Sequence, residues 1–405
     1  MNFKTLETIN KEIPLEGKKI LLRADLNVPV QDGKVSDTTR IDRLKPTIDT
    51  LTRKGARVIL LSHFGRPKGE AKEEYSLSFL PPVLKAQWGQ EVSFAAECTG
   101  PEAEKAVSNL QNGDILLLEN VRFHKGEETN DVAFAKALAK LGDIYVNDAF
   151  SASHRAHAST EGLAHLLPCA AGHLMETELG ALQNALESPK KPVAAIVGGA
   201  KISSKLSVLN NLVQKVDFLI LGGGMANTFL FARGAEVGAS LCEKDMAAEA
   251  RNIMEKAQNK GCEIILPTDR IIVDTIEEGA PYEIVSLADM PEDKEAIDIG
   301  PETIRHIGEI LQTCKTVLWN GPMGVFEVKP FDKGTNEVAK IAANLTKSGQ
   351  VLSVAGGGDT VSALANAHVL EDFSYVSSAG GAFLEWLEGK TLPGVAALSA
   401  HARAA

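Results

Sequence analysis

Residues 350–367 read QVLSVAGGGDTVSALANA. An apolar run ends in Gly356-Gly357-Gly358, passes Asp359-Thr360 and leads into VSALANA, a stretch with helical spacing. A buried strand, a glycine turn and a helix in that order form the repeating unit of an α/β fold. Glycine after a strand lets backbone approach a ligand closely, and a helix opening there turns its positive end toward anions. The same texture extends outward through the chain. KPVAAIVGG (191–199), VDFLILGGG (216–224), CEIILPTD (262–269) and KTVLWNGPMG (315–324) read as further strands in the second half. KKILLRADLNV (18–28), ARVILLSHFG (56–65), GDILLLENVRF (113–123) and GDIYVNDAF (142–150) do so in the first. Helix-period segments alternate with them at 40–55, 131–142, 245–261 and 335–349. Continuous Val/Ile/Leu runs of this kind predict parallel strands buried on both faces. The polar and glycine-rich residues follow the apolar runs, where ligands of such sheets bind.

At 172–192 the pattern changes to GHLMETELGALQNALESPKKP, an amphipathic helix closed by Ser-Pro-Lys-Lys-Pro. The two sides differ in character, with arginines concentrated before it and Gly-Gly-Gly runs after it. The expectation is two doubly wound, parallel-sheet (Rossmann-like) α/β domains with a boundary near 170–190. A length of 405 residues suits two domains at roughly 100–200 residues each. Hydrophobic residues at 44% and charged residues at 23% fit a globular protein with an ample core. Lys and Arg total 42 against 53 Asp and Glu, a net of −11, which argues against general nucleic-acid or acidic-membrane binding. It leaves room for a local basic pocket. Cys98, Cys169, Cys242, Cys262 and Cys314 are scattered and never form C-x-x-C, so no disulfide framework or zinc ribbon is expected. The first residues are polar, without the apolar core of a signal peptide, and no run approaches the roughly 18 apolar residues of a membrane span. A cytoplasmic location is expected.

In the first half, successive strand ends present Arg23-Ala24-Asp25-Leu26-Asn27, Ser62-His63-Phe64-Gly65-Arg66, Glu119-Asn120-Val121-Arg122 and Ser153-His154-Arg155-Ala156-His157, and Arg40 opens the first long helix. A guanidinium stays charged and grips phosphate or carboxylate bidentately. One such arginine is ordinarily a solvated surface residue; four or five at equivalent topological positions point to a pocket for a small polyanion. The histidines lack metal-ligand spacing, so His63 reads as a phosphate-contacting or structural residue. In the second half the glycine turns are 198–199, 222–224, 321–324 and 356–358. Lys201 and Lys205, four apart, are expected to share a helix face, suited to a polyphosphate. Asp359 is a candidate Mg²⁺ carboxylate, since Mg²⁺ prefers oxygen ligands shared with nucleotide phosphates. No G-x-x-x-x-G-K-[ST] occurs, 222–227 and 356–361 both fail G-x-G-x-x-G, and the protein-kinase motifs are absent. The halves together suit phosphoryl transfer between a nucleotide and a small polyanion, which demands placement and charge neutralisation more than covalent chemistry.

The motifs RADLNVP (23–29), SHFGRP (62–67), ENVRFHKGEE (119–128), NDAFSASHRAHAS (147–159), GGAKISSKL (198–206), GGGMANTF (222–229), WNGPMGVFE (319–327), GGGDT (356–360) and AGGAFLEWLEGKTLPGVAAL (379–398) resemble those of the phosphoglycerate kinase family, in the family's order. The resemblance implies reversible phosphoryl transfer from 1,3-bisphosphoglycerate to ADP, a monomer, and Mg²⁺ with the nucleotide. It implies a 3-phosphoglycerate site of Asp25, Leu26, Asn27, Arg40, His63, Phe64, Gly65, Arg66, Arg122 and Arg155. It implies a nucleotide site of Lys201, Lys205, Asn320, Glu327, Gly356, Gly357, Gly358, Asp359 and Thr360, with Asp359 toward the metal. Arg40, Lys201 and the amides around Gly357 and Gly380 are expected to stabilise the phosphoryl group in transit. The tail is expected to pack back on the first domain, which gives a first domain of 1–172 plus 390–405 and a second of 173–389 joined by a hinge helix at about 173–188, with domain closure bringing the ligands into line. One departure stands out. Many members read Thr-Gly-Gly-Gly where this chain reads Ser378-Ala379-Gly380-Gly381, and a methyl at Ala379 is compatible only with an ordinary backbone there. A non-catalytic nucleotide-binding scaffold of the same fold is the alternative. It predicts loss of Arg40, Lys201 or Asp359, and all three are present.

Overall fold

The computed structural model describes residues 3–403, so the extreme ends of the expected first domain, 1–2 and 404–405, lie outside the described residues. The chain divides into two compact units, one running to Gly180 and resuming at Thr391, the other spanning Ala181–Lys390. The sequence expectation drew its limits at 172/173 and 389/390. The helix His173–Leu182 carries the chain across the first limit and continues as a π-type turn over Gln183–Glu187.

The first unit is built on a six-stranded sheet in the order Val92–Ala95, Ile115–Leu118, Arg57–Leu61, Lys19–Arg23, Ile144–Asn147, Cys169–Ala171. All its pairings are parallel. Lys19–Arg23 connects onward to Arg57–Leu61 on one flank, while Ile144–Asn147 lies on the other, so the order reverses at this strand. The strands are buried almost throughout because helices cover both faces. Helix Thr39–Arg53 buries Ile41, Leu44, Thr47, Ile48 and Leu51, an i, i+3, i+7 stripe, against Leu22, Val58, Leu60 and Leu117. On the other face Gly142 is held bare by Leu21, whose Cγ would lie 2.5 Å from an added Cβ. The returning tail forms the helix Pro393–Arg403, and Gly394 N–H donates to the Ser153 carbonyl at 2.9 Å.

The second unit holds a six-stranded sheet in the order Glu263–Ile265, Phe218–Leu221, Val193–Val197, Thr316–Asn320, Leu352–Gly356, Tyr375–Ser377. Its pairings are parallel too. Numbered along the chain this is 3-2-1-4-5-6, the dinucleotide-fold order, with its switch point between Val193–Val197 and Thr316–Asn320. A second sheet, not expected from the sequence, pairs Glu283–Ser286, Asp269–Val273 and Glu295–Ile299 antiparallel. Among the described residues no helix is long and apolar enough to cross a membrane.

Asp298, next to last in the strand Glu295–Ile299, is buried and accepts Gly334 N–H at 2.7 Å and Ile299 N–H at 2.9 Å. Gly324 and Gly334 press on its carboxylate, which would lie 2.4 and 2.3 Å from an added Cβ. Burial pushes the carboxyl up to about 7, against the lowering effect of the two amides. A carboxyl raised in the folded state favours folding at acidic pH, and that contribution is lost as pH rises through about 7. Asp298→Asn should therefore flatten the decline in unfolding free energy between about pH 4 and about pH 7, by an amount on the order of a few kcal/mol. Urea titrations of the two proteins at each pH measure it; parallel profiles would contradict the assignment.

Candidate functional site

In the first unit the candidate residues gather on loops that leave the carboxyl ends of the parallel strands. Asp25 Oδ2 accepts Arg40 Nη1 at 2.8 Å, and the same Nη1 donates to the Asn27 carbonyl at 2.9 Å. Ser151 Oγ also donates to Asp25 Oδ2. Asn27 Oδ1 accepts Gly65 N–H at 2.9 Å, and the Gly65 carbonyl accepts Arg122 Nη1 at 2.9 Å. Gly65 takes a φ of +60°, and Tyr75 ring carbons would stand 2.3 Å from a Cβ there, so only glycine fits. Asn120 Nδ2 donates to the Phe64 and Tyr75 carbonyls at 2.8 and 2.9 Å, which ties the 62–67 loop to the Arg122 loop.

His63 is buried, with Nδ1 3.0 Å from Arg23 Nη2. Burial, then the nearby Arg23, Arg122 and Arg40, holds its imidazole well below the usual range. Arg122 is lowered from its ordinary value by burial and Arg23, with Arg155 adding to the effect and Glu128 and Glu127 opposing it. These groups therefore form one electrostatic cluster of concentrated positive charge. Arg66 and Arg155 are exposed, the latter with Nε 3.2 Å from His154 Nε2. Leu26 is fully buried, and its N–H donates to Ser62 Oγ at 3.0 Å, so it shapes the loop and cannot offer its side chain to a ligand.

In the second unit Lys205 points inward. Its Nζ donates to the Gly198 carbonyl at 2.7 Å, the Asn320 carbonyl at 3.1 Å and Asn320 Oδ1 at 2.7 Å. Burial lowers its ammonium to about 8, and Asp359 opposes the shift. Asn320 Nδ2 in turn donates to the Gly356 carbonyl at 2.8 Å. Thr360 Oγ1 accepts Gly321 N–H at 2.7 Å and donates to the Gly356 carbonyl at 2.9 Å. Gly357 has a φ of +101° and opens the helix Gly358–Asn366, with Asp359 exposed in its first turn. A Cβ on Gly380, at the start of the helix Gly380–Leu387, would lie 3.8 Å from Gly358 N, so two helix N-termini converge.

Beside them lies a cavity of about 300 Å³ whose lining includes Gly199, Gly223, Leu241, Ile276, Ile297, Val325, Glu327 and Asp359. The apolar part of that wall escaped the sequence reading. Leu241 and Ile276 are 52% and 41% exposed, and single apolar residues in loops carry no periodic signal. The expected Lys201–Lys205 helix face is corrected by the structure. Lys201 precedes the short 3₁₀ turn Ser203–Lys205 and is exposed, whereas three carbonyl-type oxygens draw Lys205 inward. Lys201 is also absent from the cavity wall. The sequence reading missed Ser151 and Glu127 as polar partners behind the first site, since nothing within the motifs that contain them sets them apart.

Among the described residues no cluster of three His, Cys, Asp or Glu is placed to hold a metal. Asp359, with Glu295 and Glu327 elsewhere on the cavity wall, is an exposed carboxylate at a helix start, a donor that fits a cation taking its remaining oxygens from phosphates and water.

A family model for phosphoglycerate kinase matches residues 10–390. The phosphoglycerate kinase of Rhodospirillum centenum is 60% identical over 400 residues, covering 99% of this chain and all of that protein. That of Rhizobium meliloti is 55% identical over 395 residues, 98% of each chain. The structure of phosphoglycerate kinase from Coxiella burnetii matches with a TM-score of 0.92 at 40% identity, covering 99% of this chain and 100% of that one. The enzyme from Pyrococcus horikoshii matches at 0.80 with 30% identity, covering 98% and 99%.

Ala379 sits at φ −104°, ψ 69°, ahead of the helix it caps, so its methyl meets no left-handed requirement. Ala379→Gly should leave nucleotide affinity within about twofold and lower stability by about 0.5–1 kcal/mol through the freer unfolded chain. Calorimetry and urea unfolding read the two effects; a markedly tighter nucleotide complex would mean that the methyl obstructs the loop.

Proposed function

The chain belongs to the phosphoglycerate kinase family, and on that premise we propose how its residues divide the reaction. It is a glycolytic phosphotransferase that moves a phosphoryl group reversibly between 1,3-bisphosphoglycerate and ADP, giving 3-phosphoglycerate and ATP. The first unit holds 3-phosphoglycerate through Asp25, Asn27, Arg40, His63, Arg66, Arg122 and Arg155, with Phe64 and Gly65 shaping the loop. The second holds the nucleotide, its base against the Leu241, Ile276 and Val325 wall and its phosphates toward Lys205, Asn320 and Gly356–Thr360. The observation that carries this division is the arginine cluster around a His63 kept neutral, a concentrated anion site in a chain of net charge −11.

The acceptor of the ATP-consuming direction is a carboxylate, ionised at neutral pH, so no general base is needed. Catalysis is then electrostatic. Arg40, oriented by Asp25 and the Asn27 carbonyl, offers charge to the phosphoryl oxygens. The N-termini of Gly358–Asn366 and Gly380–Leu387 offer amides to the same oxygens. Lys201 adds a second cation from its exposed position. Mg²⁺ bound with the nucleotide would neutralise phosphate charge, and Asp359 is the residue that would hold it. Because each unit carries one ligand, in-line transfer requires the ligands to be brought together, with the 173–188 segment as the proposed hinge. The enzyme is proposed to be cytoplasmic, supported by five unpaired thiols, and monomeric, which rests on the family resemblance alone.

Turnover of 3-phosphoglycerate and MgATP, coupled to glyceraldehyde-phosphate dehydrogenase and followed as NADH loss, tests the reaction. Arg40→Ala should lower kcat by about 100-fold or more while changing the KM for MgATP by less than about threefold. An unchanged kcat would remove Arg40 from the transfer step. X-ray scattering should show a more compact particle with both ligands than with either alone; equal compactness would count against closure.

A further inference from the structure

Behind the first site lies a buried polar chain. Glu127 is fully buried on the short helix Lys125–Glu128, just after Arg122. Its Oε1 accepts Ser159 Oγ–H at 2.6 Å and its Oε2 accepts Ser159 N–H at 2.9 Å. Ser159 Oγ in turn accepts Arg23 Nε–H at 2.8 Å. Arg23, also fully buried, places Nη2 3.0 Å from His63 Nδ1. Tyr145 Oη–H donates to the Ser159 carbonyl at 2.8 Å and fixes that segment.

We propose that Glu127 is a positioning residue for substrate binding, acting through Ser159 and Arg23 to fix the tautomer of His63. The inference rests on the reading of His63 as a 3-phosphoglycerate ligand. A guanidinium only donates, so His63 Nδ1 must accept and the ring proton must reside on Nε2. His63 is then a neutral N–H donor of set orientation. Arg23 remains in place because Glu127 supplies its counter-charge through the serine hydroxyl; a buried guanidinium without one is costly. The carboxyl of Glu127 is burdened by burial, yet lies below its usual range because His157, Arg23 and Ser159 stabilise its charge. The same carboxylate joins two substrate loops. Ser159 belongs to the segment that carries Arg155, Glu127 to the one that carries Arg122.

The charged and titratable groups facing Glu127 are Arg23, His157, Arg122, Cys98 and Tyr145. Those facing His63 are Arg23, Arg122, Arg40 and His157. In the full-length enzyme, ¹⁵N spectra of the imidazole should show His63 neutral and protonated on Nε2. Glu127→Gln places an amide against Ser159 N–H, and Ser159→Ala removes the hydroxyl while leaving both charges, a milder change if the first variant folds poorly. Either should admit the Nδ1–H tautomer of His63. Either should also raise the KM for 3-phosphoglycerate by about tenfold, with the KM for MgATP within about twofold. Ser159→Thr, which keeps the hydroxyl, should restore the wild-type tautomer. An unchanged tautomer in both variants overturns the proposal, as does a parallel rise in both KM values. The spectroscopic arm needs no turnover, so an inactive wild-type protein would overturn the assigned reaction without touching this result.

Discussion

At the carboxyl end of a parallel strand the hydrogen-bond ladder stops, and the last carbonyls must find other partners or remain costly. That constraint organises both sites. In the second unit Lys205 takes the Gly198 and Asn320 carbonyls, and Asn320 Nδ2 and Thr360 Oγ1 share the Gly356 carbonyl. In the first unit Ser62 Oγ takes the Ala24 carbonyl, Asn120 Nδ2 the Phe64 carbonyl, and Arg122 the Gly65 carbonyl. The side chains that close the strand ends also belong to the proposed ligand sites. Lys205, Asn320, Thr360, Ser62 and Asn120 are each held by a second hydrogen bond that orients them, so much of the arrangement is set in advance. Both switch points concentrate this arrangement, because there the two neighbouring connections leave in opposite directions and open a crevice.

The same constraint explains what the sequence made legible. Long apolar runs followed by polar or glycine-rich residues could hardly be anything but buried parallel strands with functional ends, and the structure forms a strand within every one named from 18 to 356. Short strands carried too little signal. Val92–Ala95, Cys169–Ala171 and Tyr375–Ser377 lie at or next to sheet edges with three or four residues each. The antiparallel sheet was hidden for another reason. Glu283–Ser286 is largely exposed, Ile284 included, so alternation has no core face to reveal it. Glycine positions were legible as a class, but their cause was not. Gly65 is required by the Tyr75 ring, and Gly198 by a Pro322 carbonyl that would stand 1.7 Å from a Cβ.

The candidate site was legible in its residue types and less so in their roles. Arg23 and Arg122 look alike in sequence, each an arginine after a strand. In the structure Arg23 is wholly buried and bonded to His63, Ser159 and its neighbour's carbonyl, whereas Arg122 is only half-buried. Local pattern cannot separate them, because burial is decided by the 153–160 segment more than 100 residues away. Lys201 and Lys205 fail for a related reason. Their four-residue spacing would put them on one face of a helix, but the carbonyls left over at Gly198 and Asn320 draw one lysine inward.

Charge balance follows the same local logic. The chain carries a net of −11, yet one site gathers arginines and the other a lysine and two helix N-termini. At physiological ionic strength the screening length is about 8 Å, so the acidic remainder of the surface acts weakly on a ligand at either site. What the ligand meets is the local field, and the protein strengthens that field by burial. His63 is kept neutral, which avoids adding a labile charge among the arginines, while Glu127 is kept ionised to hold Arg23 among them. Both shifts run downward: burial first and then the neighbouring arginines lower His63, whereas His157, Arg23 and Ser159 lower Glu127 against its burial. A site built this way keeps the same protonation pattern across the neutral range and depends on the integrity of its buried partners more than on the titration of any exposed group.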